Sequence, residues 1–322
     1  MDVLRRICGG REMTDIKEMA KGRWREILPR FGIDPKYLNG KHGPCPMCAL
    51  GGDGGKDRYR FTDYNSDGMW WCNACSPSMG DGFDLACRMT GKIFAEIAKE
   101  INGMIGGLPE PKIINQDEKI ERARKRLNEI KGKVVHASQV SEAVEYLKDL
   151  MIPPGLYAHP SLEYWQDGEV KGKYPVLIGR VISPHGKPVS FHCTYIENGQ
   201  KAPVGIPRKM LTPVMTLKGA AIRLFPQEPE IGIAEGIETA IAAHLIHQIP
   251  VWSAMSANGL QDFIPPEGVE SVVIFGDNDA SFTGHAAAYA LAKKLVLSGI
   301  KARVEIPKTI CDWRDVFVRG NQ

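Results

Sequence analysis

Two Cys-x-x-Cys pairs, Cys45/Cys48 and Cys72/Cys75, constrain this 322-residue chain more tightly than any other feature. Each pair turns two thiols toward one point, and two such knuckles complete a tetrahedral zinc site. The 23 residues between the pairs make a gap slightly longer than usual for this pattern, and they are sensibly filled. Segments 58–61 (RYRF) and 69–71 (MWW) read as two strands joined by turn residues 63–68. The reading is a zinc ribbon built on Cys45, Cys48, Cys72 and Cys75. Two separate redox pairs are the weaker alternative, since redox Cys-x-x-Cys motifs sit in βαβ units. His42, three residues before Cys45, is an alternative ligand. Cys8, Cys87, Cys193 and Cys311 have no partner at ligand spacing. A four-thiolate site is closed, so its role is structural.

What the ribbon presents is then the question. Lys56, Arg58 and Arg60 stand with Tyr59, Trp70 or Trp71 on the two strands. Cations mixed with π-faces suit single-stranded nucleic acid, whose bases stack while its phosphates pair with Arg and Lys. Phe61 and one of the two tryptophans are expected to pack the ribbon instead. The formal charge of +3 is too small to argue for nucleic acid by itself. The chain has no run of 18 apolar residues and no signal-peptide core, so the expected setting is the cytosol with no membrane contact. There the cysteines are expected free or metal-bound.

Along the chain, residues 1–40 show helical spacing of Ile16, Ala20, Trp24 and Ile27. A helix is expected over 82–99, a Gly/Pro hinge over 102–111, and a polar helix over 117–131 whose Arg122, Arg124, Lys125 and Arg126 read as a solvated face. Another helix is expected over 141–150. Segments 174–183 and 187–196 alternate like a hairpin turning at 184–186. From about Glu230 short apolar strands and helices alternate, which argues for a parallel α/β sheet. The expected organisation is multi-domain. An N-terminal helix and zinc-ribbon domain (1–103) leads to a helical linker (104–150), a β-rich subdomain (151–228) and an α/β domain (229–322).

Acidic residues stand after the strands of that last part. Glu235 follows IGIA, Asp277 and Asp279 follow SVVIFG, and Asp312 and Asp315 follow the last strand. Ligand sites in open α/β sheets form outside the carboxyl ends of strands. Carboxylates gathered there need cations, and Mg²⁺ takes one or two carboxylates while keeping waters for phosphate exchange. Singly, each acid is equally well a cap or turn residue. An EF-hand is excluded, because the required glycine six residues into the loop is Phe282 and the twelfth position is Ala288.

The segments AEGIET (234–239), FGDNDA (275–280) and DWRD (312–315) resemble the three motifs of TOPRIM domains, found in bacterial DnaG-type primases, topoisomerases and some nucleases. The chain more closely resembles phage and plasmid primases of the satellite-phage P4 alpha type, through GGKDRYRF (54–61), GDGFDL (80–85), HCTYIENGQKAP (192–203), PRKML (207–211) and GAAIRLFP (219–226). The resemblance covers about 40–320. It implies an α/β TOPRIM catalytic domain with a β-rich preceding part. In that domain Glu235 is the catalytic acid, Asp277 and Asp279 hold Mg²⁺ or Mn²⁺ beside Glu235, and Asp312 completes the site. It also implies that Lys201, Arg208, Lys209 and Arg223 meet the NTP triphosphate or the template backbone. The activity implied is synthesis of short RNA primers on single-stranded DNA in phage or mobile-element replication, in a bacterial host cytosol. No GK[ST] occurs in the sequence, so the expected helicase partner is a separate protein. The alternatives are a TOPRIM-type metal-dependent nuclease and a non-catalytic zinc-dependent DNA-binding protein. Too little chain remains for a topoisomerase cleavage domain.

Overall fold

The computed structural model describes residues 16–48, 58–109, 111, 116–166 and 168–320. They belong to two compact units, Met1–Lys119 and Ile120–Gln322. No described helix is long and apolar enough to cross a membrane.

The helical reading of residues 1–15 lies outside the described residues; within them, residues 16–20 are helical (α1) and α2 (Trp24–Ile27) follows. A three-stranded antiparallel sheet follows, made of β1 (Tyr59–Phe61), β2 (Trp70–Cys72) and β3 (Met79–Gly80). Its register sets Tyr59 opposite Cys72 and Phe61 opposite Trp70. Tyr59, Phe61 and Trp70 are buried, because a sheet this small has little else from which to make a core. Trp24 extends that core, alongside Ile27, Leu28, Leu38 and Leu85. Its ring meets Phe83 edge-on at 4.8 Å, and a Cβ at position 82 would lie 2.2 Å from it, so only glycine fits there. The GDGFDL segment thus has a structural cause. Asp81 accepts the Asp84 N–H at 2.8 Å and caps α3 (Gly82–Thr90), while Gly82 makes room for Trp24.

The helix expected over 82–99 is two. α3 ends where Gly91 turns into the left-handed region at φ 73°, and α4 (Phe94–Met104) restarts after it. The expected hinge over 102–111 is in part this helix and a further turn at Ile105–Gly107, because Ile101 and Ile105 are buried in the unit's core.

α5 (Gln116–Lys131), which lies mostly in the second unit, carries the basic run, and Arg122, Arg124, Lys125 and Arg126 are exposed as the expected face, while its other side packs inward. Ile130 is buried among Leu162, Tyr164 and Val176. Next come β4 (Val135–His136), α6 (Ser141–Tyr146), β5 (Leu156–Gln166), β6 (Glu169–Ile182), β7 (Pro188–Glu197), β8 (Gln200–Lys201), β9 (Arg208–Met210) and β10 (Ala221–Ile222). The expected helix over 141–150 thus stops at Tyr146. The hairpin expected from the alternation is β6–β7, with Gly179 opposite His192. β5 is a further long strand paired to β6. The α/β part comprises β11 (Glu230–Ala234), α7 (Ile237–His247), β12 (Val251–Ser253), α8 (Ala257–Asp262), β13 (Ser271–Phe275), α9 (Thr283–Leu297), β14 (Lys301–Glu305) and α10 (Trp313–Gly320).

Strands β14, β13, β11 and β12 are parallel, in that order. β10 pairs antiparallel with both β12 and β6, so the β-rich part and the α/β part share one 11-stranded sheet. Their strand residues alternate between two cores. Val273 and Phe275 join Ile237, Ile241 and Trp313, whereas Val272 and Ile274 join Leu260, Ala288 and Leu291. Burial on both faces explains why these strands read as continuous apolar runs. From β11 the chain passes to β12 on one side and then to β13 on the other. The topological switch point, where such sheets bind ligands, therefore lies between β11 and β13.

Candidate functional site

The four cysteines converge. Sγ of Cys45 lies 3.7 Å from that of Cys75, and Sγ of Cys48 lies 3.8 Å from that of Cys72. All four sulfurs fall within 4.8 Å of one another. A tetrahedron with zinc–sulfur bonds of about 2.3 Å has edges of about 3.8 Å, so the set fits Zn²⁺. The close pairs run between the knuckles, which is a metal geometry and not that of two redox dithiols. The backbone N–H groups of Met47 and Ala74 point at Cys45 Sγ (3.4 Å) and Cys72 Sγ (3.5 Å) and would support thiolate charge. Burial pushes the Cys45 thiol up to about 11, whereas at Cys72 burial is outweighed by hydrogen bonds from the Ala74 N–H and the neighbouring thiols, and the net displacement is downward. His42 is not in the set.

Of the ribbon residues expected to meet nucleic acid, Lys56 lies outside the described residues. Arg60 is exposed and donates from Nε to the Gly40 carbonyl at 2.8 Å. Arg58 and Trp71 are half-buried.

The acidic site forms at the switch point. Ala234 and Phe275 pair in register at the ends of β11 and β13, so Glu235 and Asp277 leave adjacent strand ends. Asn278 ties in the third loop. Its N–H donates to the Cys311 carbonyl at 3.1 Å and its Nδ2 to the Pro307 carbonyl at 2.8 Å, which seats Asp312 nearby. Burial, and then the charges of Glu235, Asp312 and Asp279, push Asp277 up to about 7. Its Oδ1 is buried and has no hydrogen-bond partner. Burial also raises Glu235, reinforced by Asp279 and opposed by an N–H from Ala257 and the charge of Arg208. An orphaned carboxylate oxygen among like charges fits a hard divalent cation.

Asp279 is different. It is half-buried, and its oxygens accept the N–H groups of Ser281 (2.9 Å), Thr283 (3.2 Å) and Gly284 (2.8 Å), as well as the Ser281 hydroxyl. Those bonds, led by the Ser281 hydroxyl, hold it below the usual carboxylate range. The cap reading of Asp279 is thus correct, with one Oδ2 lone pair left for a cation. Gly284 is required at this turn, since a Cβ there would lie 2.4 Å from the Asp277 carbonyl.

Arg208 Nη2 donates to Glu238 Oε1 at 2.7 Å, and the Tyr146 hydroxyl donates to the same oxygen at 2.5 Å. Burial pulls Glu238 upward, but Arg208 and Tyr146 outweigh it, and the net displacement is downward. His192, whose Nδ1 is buried, is pushed down to about 4 by desolvation and then the charge of Arg208, so it is neutral. Lys201 is lowered by burial and then by the charge of Arg208, and it also feels Arg314 and Asp312. Lys201, Arg208 and Arg314 thus form a cationic group beside the acids. Lys209 and Arg223 are held elsewhere. Lys209 lies over the Tyr164 ring and bonds the Trp165 carbonyl, while Arg223 lies over Trp252 and donates to the Ser183 carbonyl at 3.0 Å. Sequence reasoning missed Glu238, Tyr146 and Arg314. Glu238 had a signal, since it stands three residues after Glu235 on the first turn of a helix. Tyr146 had none, as it comes from a helix 92 residues away.

Three family models match the chain. One, the zinc-binding domain of primase-helicase, covers residues 40–83. A second, the Toprim domain, covers residues 230–322. The chain joins a primase-type zinc ribbon to a TOPRIM domain. Between them, residues 116–224 match a domain of unknown function (DUF7146). The TOPRIM match begins at β11 and includes all four site acids, and the ribbon match contains all four cysteines. Among solved structures, a DNA primase domain from Pseudomonas aeruginosa is 16% identical at TM-score 0.34, over 50% of this chain and 52% of that one. The Aquifex aeolicus primase (zinc binding and RNA polymerase domains) is 16% identical at TM-score 0.35, over 95% and 82%. The E. coli primase catalytic core is 15% identical at TM-score 0.34, over 55% and 56%. The chain thus spans about half the length of the first and third of these.

Proposed function

We propose that this chain is a DNA primase that joins ribonucleotides on a single-stranded DNA template, with zinc as a structural ion and Mg²⁺ or Mn²⁺ at the acids, in phage or mobile-element replication. The observation that carries the reading is Asp277, a half-buried carboxylate with one buried, unpartnered oxygen that feels the charges of Glu235 and Asp312 at the switch point of a TOPRIM sheet. A divalent ion bound there would supply charge neutralisation for the attacking and leaving oxygens of nucleotidyl transfer.

The residues have separate tasks on this reading. Glu235, raised by burial, is suited to accept the proton of the attacking 3′-hydroxyl, since a base works best when its pKa lies closer to the working pH. Asp277, Asp279 and Asp312 hold the cation. Lys201, Arg208 and Arg314 offset the triphosphate charge, with Arg208 fixed in place by Glu238 and Tyr146. The ribbon's Arg58, Arg60 and Trp71 contact the template.

The test is a priming assay with full-length protein, single-stranded DNA, labelled NTPs and Mg²⁺, run beside Asp277→Asn. Short template-dependent oligoribonucleotides, lost in the variant, are expected. Metal-dependent nicking of DNA without NTPs, and no primers, would move the assignment to a nuclease.

A further inference from the structure

Phe282 is unfavourable in two independent ways. Its side chain is 66% exposed, the largest exposure of any described phenylalanine, and its backbone is left-handed at φ 58°. Scattered exposed apolar residues are ordinary, but a bulky aromatic at positive φ is an outlier. Such strain persists only where the surrounding structure enforces it. Here the enforcing group is Asp279. Its carboxylate gathers the N–H groups of Ser281, Thr283 and Gly284, and its carbonyl accepts the Phe282 N–H at 3.0 Å. The residue at the rim of the acid site therefore builds the kink that lifts the phenyl ring into solvent. The ring meets His285 edge-on at 5.3 Å, and Tyr289, two turns along α9, is likewise exposed. Glycine or asparagine would take this backbone without strain, yet an aromatic stands there.

We propose that Phe282 is a stacking platform for a nucleobase held beside the acid site. The inference rests on the primase reading and deepens it. A base is the occupant that fits, because a nucleotide whose phosphates are drawn to a cation at Asp277 and Asp279 brings a flat π-face to this rim. Stacking on an aromatic ring also accepts any base, as copying a template demands. The base comes either from the template strand or from an NTP, and the two sources are separable.

The experiment uses the full chain carrying Phe282→Asn, which keeps a residue tolerant of positive φ, and Phe282→Trp, which keeps an aromatic face. Binding of fluorescently labelled single-stranded DNA is measured by anisotropy, and KM for NTP is measured in the priming assay. The Asn variant should weaken one of the two by about tenfold, while the Trp variant stays within about twofold of wild type. A rise in DNA Kd assigns the base to the template, and a rise in KM assigns it to the nucleotide. If the Asn variant matches wild type in both, or the Trp variant loses as much as the Asn variant, the stacking role is wrong and the primase reading stands. If the wild type binds neither single-stranded DNA nor NTP, the primase reading fails and this inference falls with it.

Discussion

Asp277→Asn should make the protein more stable while abolishing its chemistry. Asp277 is raised from 3.8 to about 7 by burial and by three neighbouring carboxylates. A shift of about three units at about 1.36 kcal/mol each sets a ceiling of about 4 kcal/mol on the cost of keeping this group charged in the folded state. Residual exposure and solvent screening lower that, and an amide in the same place still lacks a partner for its buried atom. A gain of about 2 kcal/mol is the working figure. For a unit of this size that is a rise of about 4–8 °C in Tm. The sign follows from linkage. A group whose folded pKa is raised contributes stability that is complete below its unfolded pKa and lost as pH rises through the folded value. The wild type therefore loses stability between about pH 4 and pH 7, and the variant does not. The two should melt together near pH 4 and separate progressively up to pH 8. The assay is differential scanning calorimetry across that range, without Mg²⁺, Mn²⁺ or chelator, so that the zinc remains. Adding Mg²⁺ should stabilise the wild type and not the variant, which narrows the gap by mass action. An unchanged or lower Tm for Asp277→Asn at pH 8 without Mg²⁺ would refute the claim that burial and like charge act on this residue.

Two further outcomes follow from the other clusters. Zinc removal by a strong chelator, or Cys72→Ser, should unfold Met1–Lys119 and leave Ile120–Gln322 melting as before, because structural zinc contributes about 10–16 kcal/mol, more than so small a core supplies alone. Fluorescence of Trp24 and Trp70, both buried there, reports it, and an unchanged spectrum after chelation would sink the four-thiolate assignment. Glu238→Ala should cost about 1–3 kcal/mol in urea unfolding at pH 7, discounted because Arg208 is partly exposed. Glu238 is net lowered, so its contribution is present above its unfolded pKa and lost as pH falls through the folded value, and the cost should be smaller at pH 3 than at pH 7. An equal cost at both pH values would assign the loss to packing.

What was legible in the sequence divides along physical lines. Cysteine spacing is local, so the zinc site could be read directly. Strands buried on both faces are apolar throughout, so β11, β13 and their helices could be read as well. The break at Gly91 was visible in principle, since glycine in the left-handed region ends helices, but the apolar periodicity runs across it. The merging of the β-rich part with the α/β part was not visible. It depends on Ala221 and Ile222, a two-residue strand bridging β6 and β12, too short to leave a pattern. Arg223 illustrates a different limit. A basic residue near a phosphate-handling site reads as a phosphate contact, yet its guanidinium is taken by Trp252 and the Ser183 carbonyl, which come from distant segments.

The pair Asp277 and Asp279 shows most clearly where sequence reasoning stops. Two aspartates flanking one asparagine after a strand look equivalent, and both were expected to hold the metal. The fold separates them. Beside the strand end and the Asn278 bridge to Cys311, one oxygen of Asp277 is buried without a donor, whereas the turn beyond supplies Asp279 with three backbone N–H groups and a hydroxyl. One carboxylate is thereby kept poor in partners and responsive to a cation, and the other is kept charged at every working pH and made to build the loop. The loop it builds carries Phe282. Removing the Asp279 carboxylate would therefore take away a cation ligand and the kink beneath the phenyl ring together, so its loss cannot be read as a metal effect alone. Only Asp277, which organises no neighbouring backbone through its side chain, reports on the cation separately.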